Sequence, residues 1–477
     1  MILCFSVVSL AQNKTEIVLS QKIVAEMVLA QSLQAKEIDS QFQQYRLAPA
    51  QALSALDWKL TAESGYEYDK SENLTSTTTS AVRYQRYKNS VDVAKSLITG
   101  TDLTLGFARV SQKADPDTYS ASSSIRDHQT LDTFSFTIEQ ALLYNFFGLS
   151  SRAKINAAET EYKAQSLLRA DQLQELVLKG IRQFWSTYVA QENFREALAS
   201  RELYKKLVES VKRKNGLGYT NPGEYSQVQA EFEGREQNVK KTSQIYLKNL
   251  EDLSTLLNLP ADSEVKFDVP KALPPVPELA KKDQNSLRAI RSQKLKISAA
   301  EEQLKSSKST SYPALNLVGQ VYSTGVEDTA EGSYTEAVNG TSPKYYVGLK
   351  FVYTFGSGLQ TEDLINKKMV LNQEQYKLQR QLSEVKDKEQ QSLRGVQAAF
   401  SLAQSMTQQK IYREKAVQEL TRSFTQGRSD ISVLIDAMNK FFTSEVGCTQ
   451  AIGDYQIALN EWAASRDELI PDMKENN

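Results

Sequence analysis

The side chains that most often do chemistry are scarce in this chain. Its 477 residues include one histidine, His128, and two cysteines, Cys4 and Cys448. A zinc centre takes three or four ligands from His, Cys and carboxylates. An activated nucleophile needs a base within hydrogen-bond reach. His128 lies in a polar stretch that reads as loop, and no glycine-rich phosphate loop accompanies it. The residues predict no catalytic group, no metal site and no cofactor. A formal net charge of −1 leaves no bulk field to gather nucleic acid or anionic lipid.

What the spacing does specify is architecture. Eleven prolines fall at 49, 116, 222, 260, 270, 274, 275, 277, 313, 343 and 471, which leaves 117–221 and 344–470 without one. Proline removes a donor and clashes with the preceding turn, so it breaks helix interiors. Two very long helices are predicted, 149–215 and 359–426, with only Gly180 and Gly395 inside them. At ~1.5 Å per residue each would run roughly 100 Å. Apolar residues recur at helical spacing, as in Leu173, Leu176, Val177 and Ile181, or Leu364, Ile365, Val370 and Leu371. Each helix ends in turn chemistry, Gly216-Leu217-Gly218-Tyr219-Thr220-Asn221-Pro222-Gly223 and Gly427-Arg428-Ser429-Asp430. Gly supplies positive φ after a helix, and Asn, Ser and Asp suit the next N-cap. Helices 223–257 and 430–469 return from these turns, giving two helical hairpins.

Each long helix is entered from an alternating, aromatic-rich segment that closes on Phe-Gly. The first runs from Leu131 to Tyr144-Asn145-Phe146-Phe147-Gly148, the second from Tyr345 to Tyr353-Thr354-Phe355-Gly356. Two further strands are predicted. In 57–68, Trp58, Leu60, Ala62, Tyr66 and Tyr68 fall on one face, with Lys59, Thr61, Glu63 and Glu67 on the other. In 313–324, Leu315, Leu317 and Val321 oppose Asn316 and Gln320. With 131–144 and 344–355 this makes about four strands. Such alternation with aromatic ends is the signature of a membrane barrel strand; a soluble sandwich with one wet face is the alternative. No stretch reaches the ~18 apolar residues of a transmembrane helix.

The order helix, strand, loop, strand, long helix, turn, helix occurs twice, over 19–257 and 278–470. Each repeat opens on a shorter helix, 19–54 (interrupted near Pro49) and 278–309. A proline-rich linker, 258–277, separates the repeats. The first inter-strand loop holds an extra β-hairpin near 81–110, which either decorates the outer mouth or adds strands to the wall. Residues 1–11, Met-Ile-Leu-Cys-Phe-Ser-Val-Val-Ser-Leu-Ala, read as a signal peptide that is short at its start, or else as an N-terminal strand. Cleavage would remove Cys4 and leave Cys448 without a disulfide partner. The setting of Cys4 does not predict a lipid anchor.

In these features, over about 19–470, the chain resembles the TolC-like outer-membrane efflux proteins. Gly218-Tyr219-Thr220-Asn221-Pro222-Gly223-Glu224, followed by Gln227 and Ala230, is similar to the family's first helical tip. Gly427-Arg428-Ser429-Asp430-Ile431-Ser432-Val433-Leu434-Ile435-Asp436-Ala437 is similar to the second. Tyr312-Pro313-Ala314-Leu315 matches a helix-into-strand junction. The resemblance implies a mainly α fold with β, in which a homotrimer builds a 12-stranded barrel in outer-membrane lipid, continued by a coiled-coil tunnel in the periplasm. It implies passive export from a periplasmic adaptor and an inner-membrane transporter, with no nucleic acid and no enzymatic step.

The resemblance also implies site residues. Asp436 takes the position of a carboxylate ring at the pore constriction, and Val433 that of its companion acid. Glu224 and Arg428 are the candidate ion pair of a latch between hairpins; Phe424 stands where a Tyr hydroxyl is often used. The tips Gly218, Tyr219 and Thr220, and Gly427, Arg428 and Ser429, resemble the sites that meet adaptor hairpins. The competing reading is a surface-exposed structural or adhesive coiled-coil protein without transport activity.

Overall fold

The computed structural model describes residues 16–69, 73–75, 78–80, 84–114, 128–217, 222–260, 264–270, 272–278, 282–356 and 358–470. The proposed signal peptide and the tip residues Gly218, Tyr219 and Thr220 lie outside them. The chain opens with β1 (Glu16–Leu19), α1 (Gln21–Gln31), α2 (Leu33–Gln44) and α3 (Leu47–Ser54). Strands β2 (Trp58–Asp69), β3 (Asn73–Thr75), β4 (Thr78–Ser80), β5 (Tyr84–Ser96), β6 (Thr101–Ala114) and β7 (His128–Ala141) follow. Helices α4 (Leu149–Gly216) and α5 (Glu224–Leu257) form the first hairpin. Then come β8 (Glu264–Phe267), α6 (Arg288–Thr310), β9 (Ala314–Glu327), α7 (Ala330–Asn339) and β10 (Pro343–Val352). Helices α8 (Leu359–Thr425) and α9 (Ile431–Ser465) form the second hairpin.

Several elements differ from the sequence reading. The first helix is three helices behind a short strand: Ser32 leaves helical geometry at ψ 132, and Pro49 lies in the first turn of α3, where a missing N–H costs nothing. The helix expected from 278 starts at Arg288, because the Asp283 carboxylate accepts from Asn285 N–H and closes a single separate turn. The inter-repeat linker contains β8, paired in parallel with β1. His128 is the first residue of β7 and not a loop residue.

The chain divides into two compact units. One is helical and draws on the described residues up to Gln43, on Ser166–Arg291 and on Gln379 onward. On α4 its core face is Leu173, Leu176, Val177, Ile181, Phe184 and Trp185, all buried at the three- and four-residue spacing of one helix stripe. Val24 and Val28 of α1, Leu253 and Leu257 of α5 and Val265 of β8 complete that core.

The other unit, Gln44–Gln165 with Ser292–Leu378, carries one antiparallel sheet of six strands in the order β10-β9-β7-β6-β5-β2. The sequence pointed to about four. The additional two are β5 and β6, the hairpin near 81–110, which pairs with β2 on one side and β7 on the other. Because successive residues alternate faces, the register sorts the side chains by polarity. Leu60, Val93, Leu105, Phe136, Val321 and Tyr345 stand in one row across all six strands. The adjacent row, on the opposite face, is Thr61, Asp92, Gly106, Ser135, Tyr322 and Lys344.

At the end of the sheet away from the β5–β6 turn, α7 lies across the apolar-side face of β7 and β9. Tyr334 meets the rings of Phe107 and Phe134 at 6.2 and 5.8 Å. Ser333 Oγ accepts from Asp132 N–H at 3.0 Å and donates to Gly325 O at 2.9 Å. Beneath the helix the fully buried carboxylate of Asp132 takes two hydrogen bonds from Arg109, at 2.7 and 2.8 Å.

Candidate functional site at the ends of the helical hairpins

The candidate residues lie where α4 ends, α5 begins and α8 turns into α9. The second turn is a Schellman motif: Arg428 N–H donates to Ser423 O at 2.9 Å and Gly427 N–H to Phe424 O at 3.0 Å. Gly427 takes φ 72°, the left-handed conformation that a helix C′ residue adopts. Arg428 and Gly427 are exposed and Ser429 is half-buried. Asp430 then serves as the N-cap residue of α9 with extended backbone. In the first turn, Gly223 at φ 91° precedes Glu224, the half-buried first residue of α5.

Helix α9 faces two ways. Ile431, Leu434, Ile435, Met438 and Phe442 are buried against Tyr204, Leu207 and Val211 of α4, Val228 of α5, and Val417 and Phe424 of α8. Both hairpins thus share one apolar core at this end. Val433 and Asp436, three residues apart, lie on the exposed face. Asp436 forms an ion pair with Lys440 at 2.6 Å, and both side chains are 61% exposed. An i,i+4 pair this exposed is worth only ~0.3–0.5 kcal/mol, so it leaves the carboxylate available to solvent and ions.

For contacts between the hairpins the sequence pointed to Glu224, Arg428 and Phe424. The contacts seen here join Phe424 to Lys214 and add a second cluster that the sequence did not single out. Lys214 Nζ stands 4.2 Å from the ring centroid of Phe424 and donates to Phe424 O at 3.3 Å. Phe424 therefore takes part through its ring and carbonyl, with no hydroxyl required. Ten residues back along α4, nearly three helical turns, Asn439 Oδ1 accepts from Tyr204 Oη and from Arg235 Nη2, each at 2.5 Å. Arg235 also pairs with Glu231 at 3.2 Å and covers the Tyr204 ring at 4.9 Å. Burial pushes the Tyr204 phenol up to about 12, so it stays a donor at any physiological pH. Nothing in the local motif marks Asn439; only its position on the buried side of α9 could have suggested it.

Farther along, α4, α8 and α9 bring Glu196, Lys410 and Glu445 together. Lys410 Nζ lies 2.9 Å from Glu445 Oε1. Burial, then the hydrogen bond and charge of Glu445, raises the Glu196 carboxyl to about 7. A cleft of about 1010 Å³ in the helical unit is lined by Glu37, Asp171, Lys179, Arg182 and Glu461 among others; burial raises the Asp171 carboxyl. Among the described residues no group of three or more His, Cys, Asp or Glu side chains is placed to hold a metal ion. No described helix is long and apolar enough to cross a membrane.

Two long helical hairpins joined in a tandem repeat to an amphipathic antiparallel sheet make the TolC-like fold of outer-membrane efflux channels. The chain is similar to CusC over 96% of its own length and 95% of that chain, with TM-score 0.69 and 12% identity. It is similar to the CmeC outer-membrane channel of Campylobacter jejuni over 98% and 92%, with TM-score 0.68 and 12% identity. The MtrE outer-membrane channel of Neisseria gonorrhoeae in its open state matches over 98% of both chains, with TM-score 0.68 and 14% identity. No family model and no curated protein matches the chain in sequence. At these identities the likeness is one of fold.

Proposed function

We propose that this chain is the outer-membrane exit duct of a tripartite efflux or type I secretion system, conducting solutes passively to the exterior. The reading rests above all on the sheet. One face carries an apolar band across all six strands, through Leu60, Val93, Leu105, Phe136, Val321 and Tyr345, and Trp58, Leu60, Tyr345, Val347, Leu349 and Phe351 are each more than 60% exposed. Soluble monomers rarely expose a contiguous apolar patch of more than a few hundred Å². Lipid is the solvent that would cover it, and the polar face would then line water. Strands of 10 to 14 residues suit a hydrocarbon layer that takes ~9–11 residues of tilted strand.

A lipid-embedded sheet cannot keep open edges, so the duct is an oligomer, and the fold class points to a homotrimer. Its helical part would stand in the periplasm. The tips around Gly218, Tyr219, Thr220, Gly427, Arg428 and Ser429 would meet an adaptor protein coupled to an inner-membrane transporter, which supplies the energy. Asp436, repeated around the axis next to Val433, would draw cations to the constriction. The contacts of Tyr204, Arg235 and Asn439, with Lys214 against Phe424, would hold the two hairpins together there, with Glu224 and Arg428 at the rim.

The test is conductance of the purified protein in a planar bilayer under cation and anion gradients. Discrete channels are expected. Failure of folded, detergent-extracted protein to insert would overturn the duct and favour a surface coiled coil.

A further inference from the structure

We propose that the membrane wall of this duct has eighteen strands, with three copies of the chain each contributing all six strands of the sheet. The inference rests on the trimeric duct reading. Its basis is the way β5 and β6 are built in. They lie between β2 and β7 as central strands, and β2 and β10 are the two edges. The pairing is complete: β5 and β6 match from Tyr84 opposite Ala114 to Ser96 opposite Asp102, and β6 and β7 from Thr101 opposite Gln140 to Lys113 opposite His128. A hairpin decorating the mouth would leave the wall part-way along its length.

Polarity agrees. Val91 and Val93 of β5, and Leu103, Leu105 and Phe107 of β6, continue the apolar face. Asp92, Thr104 and Ser90 continue the polar one. The inserted pair thus meets lipid and water on the same sides as its neighbours. Two strands also preserve the up-and-down alternation, so β2 of one copy can pair antiparallel with β10 of the next.

The connections agree as well. The β5–β6 turn spans only 97–100 and packs on the strand-to-helix junction, where Gly100 N–H donates to Leu97 O at 3.0 Å and Ala141 N–H to Gly100 O at 3.1 Å. Between β2 and β5, β6 and β7, and β9 and β10 the strand ends opposite that turn are separated by longer stretches of sequence. Short turns on the periplasmic side and long loops outside are the barrel rule. Barrel diameter grows roughly linearly with strand number. Eighteen strands make a wall about half again as wide as twelve, in the range that leaves an aqueous channel. The outer section would then admit bulky, hydrated cargo.

Cryo-electron microscopy of the full chain in lipid nanodiscs counts the strands directly. Three copies closing eighteen strands are expected. Three copies closing twelve, with β5 and β6 outside the wall, would overturn the inference and leave the duct intact. A monomer, or no closed wall, would overturn both. Independently, Thr104→Cys and Leu105→Cys can be made with Cys4 and Cys448 changed to Ser. In liposomes, a water-soluble maleimide should label Thr104→Cys at least tenfold faster than Leu105→Cys. Equal labelling would put the hairpin in water and sink the proposal.

Discussion

The phenol of Tyr204 on α4 donates to Oδ1 of Asn439 on α9 at 2.5 Å, and so ties the first helical hairpin to the second. Arg235 of α5 donates to the same oxygen, so three helices converge on one amide. The bond is partly buried beside the shared apolar core, where losing one partner costs at least the ~1 kcal/mol of an average hydrogen bond. Tyr204→Phe keeps the ring under Arg235 and removes only the hydroxyl. It is expected to loosen the hairpins by about 1–2 kcal/mol. In single-channel recordings the variant should spend several-fold more time in its higher-conductance state. Asn439→Ala, which removes both acceptor bonds, should do so more strongly. Unchanged gating in both variants would mean that this cluster does not hold the passage closed.

Glu196 makes stability depend on pH. Its carboxyl titrates at about 7 in the folded protein against an ordinary 4.5, with Glu445, Lys410 and Arg195 as the charged groups facing it. A raised carboxyl pKa means that the folded state holds a proton which the unfolded state has released. The stabilisation is complete below about pH 4.5 and is lost as pH rises through about 7. Solvent still reaches the site, so the full shift is discounted to about 1–2 kcal/mol. Thermal unfolding of detergent-solubilised protein should fall between pH 5 and 8 by more in the wild type than in Glu196→Gln. Parallel profiles would show that Glu196 does not titrate in this window.

Much of this architecture was legible in the residues because it depends on periodicity and punctuation. Two proline-free tracts allowed two long helices, and Gly427 followed by Asp430 marked the second turn. The alternation from Trp58 to Tyr68 gave β2 its two faces. What stayed hidden depends on partners distant in sequence. Val91 and Leu103–Phe107 read as a hairpin, but their place between β2 and β7 is set by pairing with residues tens of positions away. Likewise Asn439 gains its role only when packing brings α4 and α5 against α9. Asp436 was named from its place after the second turn, whereas Lys440, which pairs with it one turn on, was not.

The two Phe-Gly junctions look alike in sequence and differ in their surroundings. Both glycines have positive φ, 77° at Gly148 and 83° at Gly356. A Cβ on Gly148 would meet Ile98 O at 1.7 Å, whereas one on Gly356 would meet nothing within 4 Å. Gly356→Ala should cost only the left-handed strain, ~1–2 kcal/mol. Gly148→Ala adds a backbone clash with the β5–β6 turn, which has no flexible atom to move aside. It is expected to cost roughly 4 kcal/mol or more. Heat-modifiability of the protein on gels should therefore survive in Gly356→Ala and be largely lost in Gly148→Ala. Equal tolerance at both positions would argue against the tight seat of the β5–β6 turn on this junction.

Asp436 and Lys440 allow opposite changes at one place. They sit on the exposed face of α9 as an ion pair at 2.6 Å, and the lysine offsets the charge that the carboxylate offers to passing ions. If Asp436 lines the constriction, Asp436→Asn lowers cation preference, and Lys440→Gln raises it by leaving three uncompensated carboxylates around the axis. Repulsion among like charges in a narrow, partly dehydrated ring strengthens their attraction for cations. Reversal potentials under a tenfold salt gradient should move in opposite directions for the two variants, by several millivolts each, while Val433→Ala leaves the sign of selectivity unchanged. A shift in the same direction for both would mean that the pair acts through helix packing, and no shift in either would move the filter elsewhere along the passage.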